Sequence, residues 1–153
     1  VRGKKGNPLP PHFFVQTSER VMSETENPGQ SDNPSVYEVV GGTPVFRQIV
    51  DAFYAGVEQD TLLRPMYPED LAAAREHLFL FLVQYWGGPP DYSAQRGHPR
   101  LRRRHFPFPI DEAARDAWMH HMTGALDGTG MPTEAREQMR AYFEDAASFL
   151  MNK

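Results

Sequence analysis

An all-α fold is predicted for this chain of 153 residues by three observations. Apolar residues recur at helical spacing through long stretches, and glycine and proline punctuate the chain between them. No alternating Val/Ile/Thr-rich segment competes as a strand. A chain of this length commonly builds a single core, so one domain is expected, at 36–153, behind an N-terminal tail at 1–35.

Taken in order, residues 1–35 read as a disordered or flexible tail, with Pro8, Pro10, Pro11, Pro28 and Pro34 and no sustained periodicity. Within it, Met22-Ser23-Glu24 can be a translation start, which would make residues 1–21 upstream sequence. A short helix over Val36 to Val40 is expected to stop at Gly41-Gly42. Thr43-Pro44 then supplies a cap and a first-turn proline. Val45, Phe46, Ile49, Val50, Phe53, Tyr54 and Val57 follow at helical spacing and mark one buried face. Leu62 to Met66 reads as a brief turn. Glu69 to Trp86 is the next long helix, apolar all round from Leu78 to Val83 and ended by Gly87-Gly88-Pro89-Pro90. A Gly/Pro-rich loop leads to a short basic helix near Arg100 to His105, broken by Phe106-Pro107-Phe108-Pro109. Asp111 can cap a helix to about Asp127, with Ala114, Ala117, Trp118, Met122 and Ala125 inward. The last helix starts near Pro132 and buries Met139, Tyr142, Phe143, Ala146, Phe149 and Leu150.

Composition removes several classes of function. The net charge of −4 argues against a nucleic-acid binder driven by bulk electrostatics. The chain has no cysteine, which excludes disulfides, thiolate catalysis, iron–sulfur clusters and thiolate-ligated or covalently attached haem. Leu78 to Val83 is far too short an apolar run to span a bilayer. Arg2, Lys4 and Lys5 are followed by no apolar signal region, so a cytoplasmic location is expected.

Six histidines could carry chemistry: His12, His77, His98, His105, His120 and His121. His105 stands out, because it ends a short helix at an aromatic, proline-broken corner that would hold an imidazole rigidly. His120 and His121 are adjacent in one helix and cannot both point at one metal. No His-x-x-x-His or Glu-x-x-His pair offers a zinc or di-iron site. One well-placed imidazole on a helical scaffold suits haem, whose ring supplies the other four nitrogens. Tyr54, Tyr67 and Trp118 are polar aromatics on or beside apolar helix faces. Each is either a core filler with a backbone partner or a donor to a buried ligand. Arg100, Arg102, Arg103 and Arg104 form either a solvated face or a partner for the two carboxylates of a haem.

Longer stretches resemble a known family. A short first helix ending in Gly-Gly, a second ending Phe53-Tyr54, and Tyr67-Pro68-Glu69-Asp70 resemble the truncated haemoglobins. Gln84-Tyr85-Trp86-Gly87-Gly88-Pro89, Tyr92-Ser93-Ala94-Gln95-Arg96-Gly97-His98-Pro99-Arg100-Leu101 and Arg104-His105-x-Pro107-Phe108 extend the resemblance. With Asp116-Ala117-Trp118 these look like group II, actinobacterial type, over about Val36 to Met151.

The resemblance implies a two-over-two helical sandwich around a non-covalent b-type haem and its iron. It implies His105 as the proximal iron ligand, with Tyr54 and Tyr67 as distal donors and Trp118 closing the distal side. Ala74 falls where many globins place a distal histidine. His77 is implied near a haem propionate, and Leu78 and Phe81 against the ring. Trp86, Tyr92, Arg104, Phe108 and Met122 complete the implied pocket. Diatomic gases (O2, NO, CO) are the implied partners, with no nucleic acid and no membrane insertion. Oxygen binding or sensing, NO dioxygenation or peroxidase-like chemistry with an external reductase, and a haem-free helical interaction module all remain open. So does homo-oligomer formation.

Overall fold

In a computed structural model, residues 34–153 are described and form helices only. Residues 1–33 of the tail expected at 1–35 lie outside the described residues. Ser35, at the end of that expected tail, caps the first helix, α1 (Val36–Val40). Its Oγ accepts from the Glu38 N–H at 3.2 Å, while Glu38 Oε1 accepts from the Ser35 N–H at 3.1 Å. Gly41 ends α1 at φ 118°, a left-handed conformation that suits glycine. The next helix, α2 (Thr43–Glu58), is capped by Gly42 rather than Thr43, whose hydroxyl turns instead to Tyr37 Oη. Two successive positive-φ glycines complete the corner one residue earlier than expected.

The stripe on α2 buries Phe46, Ile49, Val50, Phe53, Tyr54 and Val57. A 3-10 turn follows at Arg64–Met66. Then α3 (Ala72–Tyr85) begins three residues later than the sequence suggests, where Asp70 Oδ1 accepts from the Ala72 N–H at 3.0 Å. Its second half is buried on several sides, as its unbroken apolar run requires. The Gly/Pro-rich stretch is not all loop, because it contains α4 (Asp91–Arg96). The buried Gln84 holds α4, accepting from the Ser93 N–H at 2.9 Å and donating to Ser93 Oγ at 2.7 Å. The short α5 is Leu101–His105. Asp111 caps α6 (Glu112–Asp127) through the Ala114 N–H at 2.8 Å, and α7 (Thr133–Phe149) closes the fold.

Helices α2 and α3 pack as one pair, α6 and α7 as a second, and α2 lies along α6. This is the two-over-two arrangement of helix pairs. Near the C-terminus Asn152 ties the proline-broken corner. Its Oδ1 accepts from the Ile110 N–H at 2.9 Å and its Nδ2 donates to the Phe108 carbonyl at 2.8 Å. No helix among the described residues is long and apolar enough to cross a membrane.

A histidine–carboxylate hydrogen bond joins the two layers. His121 Nε2 on α6 donates to Asp60 Oδ2 at 2.7 Å, just beyond the end of α2. The Asp60 carboxyl lies below the ordinary carboxylate range, chiefly through this bond, with burial opposing it and the Leu63 and Leu62 amides adding to it. A depressed folded pKa contributes stability above the unfolded value, and that stability is lost as pH falls through the folded value. Asp60→Asn is therefore expected to lower the thermal midpoint at neutral pH and to flatten its fall below about pH 4. Melting curves across pH 2–7 check this expectation; parallel acid limbs in the two proteins would refute it.

Candidate functional site

A cavity of about 530 Å³ opens between the two layers, within the range of pockets that enclose a prosthetic group or drug-sized molecule. Its wall is mostly apolar and draws on α2, the 3-10 turn, α3 and every helix after it.

His105 comes to this wall from the end of α5. Its Nδ1 lies 2.6 Å from the Leu101 carbonyl, four residues back. A carbonyl only accepts, so Nδ1 carries the hydrogen and the neutral ring keeps its lone pair on Nε2. Burial holds the His105 pKa below its ordinary value; the Leu101 carbonyl opposes this shift and the Arg104 guanidinium adds to it. The ring is thus a neutral, oriented nitrogen donor, the form a metal ligand needs. Around α5 the loop is fixed by local bonds. The Arg100 N–H donates to His98 Nδ1 at 3.0 Å, and Arg104 Nε donates to the Pro99 carbonyl at 2.7 Å. His98 therefore serves the turn and does not reach the cavity wall.

Other elements bring the polar aromatics to the same cavity: Tyr54 from α2, Tyr67 from the segment before α3, and Trp118 from α6. The Tyr54 and Tyr67 rings meet edge-on with centroids 5.7 Å apart, and Trp118 packs on Phe53 at 5.1 Å. Burial raises the Tyr67 pKa to about 12, while the nearby Trp118 indole pulls it the other way. Tyr54 is raised further by burial and by the neighbouring Tyr67, with Arg75 opposing. Both phenols stay protonated at neutral pH and can donate. Ala74, Leu78 and Phe81 of α3 also line the wall, Ala74 contributing no polar atom.

A cationic group forms another part of the lining. His77 Nε2 accepts from Arg96 Nη1 at 2.9 Å, and Arg104 shares the wall. Burial lowers the His77 pKa, Arg96 and Arg104 lower it further, and Glu76 opposes them. Arg96 Nε is buried without an acceptor. An orphaned guanidinium nitrogen beside a large apolar cavity fits a flat apolar group that carries its own carboxylates.

Tyr92 and Phe108 reach the cavity, but Trp86 and Met122 do not. Trp86 is buried behind it, edge-on to Tyr85 at 5.0 Å and to Tyr142 at 5.4 Å. Met122 is fully buried in the core. Conversely, Leu63, Met66, Arg96, Ile110, Tyr142 and Phe143 line the cavity without having been singled out as site residues. Arg96 carried a usable signal, as a cation inside the Tyr92 to Leu101 block that bears the family resemblance. The others share the periodicity of ordinary core residues.

Comparison with known proteins gives this arrangement its family. The model for "Bacterial-like globin" matches residues 35–152. A group 2 truncated hemoglobin of Bacillus subtilis is 42% identical over 125 residues, which is 82% of this chain and 93% of that protein. This chain belongs to the bacterial-like globins, as a group 2 truncated haemoglobin. Two solved structures share its fold. The hemoglobin of the thermophilic phototroph Chloroflexus aurantiacus is 54% identical with a TM-score of 0.78, covering 79% of this chain and all of that one. A thermostable hemoglobin of the actinobacterium Thermobifida fusca is 48% identical with a TM-score of 0.76, covering 78% of this chain and 98% of that one. Membership of the globin family implies haem and diatomic gas ligands. The orphaned Arg96 nitrogen and the oriented His105 ring fit such a group.

Proposed function

We propose that this globin holds a non-covalent b-type haem and reversibly binds O2 and other diatomic gases, NO and CO. The observation that carries this reading is a single apolar cavity shared by an imidazole with its lone pair on Nε2 and by three aromatic donors, Tyr54 buried and Tyr67 and Trp118 half-buried. His105 is the iron ligand, held in one orientation by the Leu101 carbonyl. Arg96, Arg104 and His77 pair with the carboxylates of the ring. When bound, haem supplies an iron with an open coordination position for the gas. Tyr54, Tyr67 and Trp118 donate hydrogen bonds to a ligand carrying partial negative charge. Each such bond stabilises it by about 1 kcal/mol, or roughly fivefold in dissociation rate.

Titrating hemin into the apoprotein tests the reading. A Soret band is expected to grow to one equivalent and then saturate, with quenching of tryptophan fluorescence. A linear rise past several equivalents, as for hemin adsorbed to a surface, would overturn it.

A further inference from the structure

Trp118 and His121 stand one turn apart on α6, and Phe53 and Gly56 one turn apart on α2. The two pairs meet as consecutive rungs between these helices. Trp118 packs on Phe53 at 5.1 Å, and the His121 ring fills the space a side chain at position 56 would need. A Cβ on Gly56 would lie 2.4 Å from His121 Nδ1. From there His121 reaches Asp60, whose other oxygen, Oδ1, accepts from the Leu62 N–H at 2.8 Å and the Leu63 N–H at 3.1 Å. Leu63 opens the segment that brings Met66 and Tyr67 to the cavity wall. Asp60 and His121 are themselves outside that wall. Their side chains are largely shielded from water, 16% and 17% exposed, so the charge-assisted bond keeps its strength.

We infer that His121 and Asp60, meeting over Gly56, are positioning residues for the distal wall. Through the Gly56 contact they set the register of α6, and hence the Trp118 indole, against α2. Through the Leu62 and Leu63 amides they set the segment that carries Tyr67. One tie thus fixes the Trp118 donor relative to Tyr54 and Tyr67. The inference rests on the reading of these three side chains as donors to the gas ligand. A tie that merely stabilised the fold would leave gas selectivity unchanged.

The test uses the haem-loaded protein with His121→Ala, His121→Gln and Gly56→Ala, measured well below the unfolding temperature. Dissociation rates of O2 and CO are measured for each, with amide exchange at Leu62 and Leu63 and the Trp118 indole N–H resonance in the CO form. In His121→Ala and Gly56→Ala, O2 dissociation is expected to rise about fivefold and CO dissociation to change by less than about twofold. The two amides should exchange faster and the indole resonance should shift. His121→Gln, which restores an N–H donor near the Nε2 position, should recover most of the O2 effect. Should His121→Ala not fold, Gly56→Ala decides, because alanine favours the helix and any loss must come from displacing the ring. Wild-type O2 rates with faster amide exchange would reduce the tie to a structural staple and overturn the inference. An equal rise for both gases, or unaltered amides, would overturn it too. If Trp118→Phe leaves O2 dissociation unchanged, the donor reading fails for Trp118 alone, and Tyr54 and Tyr67 remain as donors. The indole resonance and amide exchange of His121→Ala then still decide whether the tie positions this wall.

Discussion

His105→Ala is expected to lose stoichiometric haem binding, with affinity falling by more than about 100-fold, since disturbing only an outer partner of a metal ligand costs 10–100-fold. The expectation follows from how the histidines are used. His77 also lines the cavity, but its Nε2 accepts from Arg96 and its surroundings are cationic. His98 Nδ1 accepts from the Arg100 amide in a turn. His121 is bound to Asp60. Among the described histidines, only His105 combines a place on the wall with a backbone bond that leaves its lone pair on Nε2. Soret absorbance after reconstitution, and its recovery with added imidazole, check the result. A normal five-coordinate ferrous spectrum in the variant would move the assignment to another histidine, with His77 tested first.

Much of this fold was legible because its helices carry their own signals. The stripe from Phe46 to Val57 and the Asp111 cap need no tertiary information. Helix α4 needs it. Its Gly/Pro-rich surroundings read as loop, and the side chain that holds it, Gln84, belongs to another helix. The site divides the same way. His105 could be found because a short helix, an aromatic pair and two prolines make a local corner. The cavity wall could not, because a residue facing a cavity and one facing the core share one periodicity. Tyr142 and Phe143 therefore have the pattern of core fillers, although they also line the cavity. Trp86 and Met122 show the converse. The resemblance carries a position along the helix but not its depth, and α3 is apolar on so many sides that its sequence does not say which side meets the cavity.

Trp118→Phe is expected to raise the O2 dissociation rate by roughly five- to a hundredfold, the range for losing about 1 to 3 kcal/mol from a hydrogen bond to a partly charged acceptor. The indole N–H donates and cannot accept. It lies on the same wall as Tyr54 and Tyr67 and is close enough to act on the Tyr67 hydroxyl as a donor. Phenylalanine would keep the ring contacts with Phe53, 5.1 Å away, and Phe143, 5.8 Å away, so packing changes little while the donor is deleted. CO carries less negative charge than O2 and should respond far less through this bond. A smaller ring also widens the passage, so association rates of both gases must be measured alongside dissociation. An equal rise in O2 and CO dissociation would make Trp118 a steric gate. No change in either would return it to a packing role against Phe53 and Phe143, leaving Tyr54 and Tyr67 to hold the ligand.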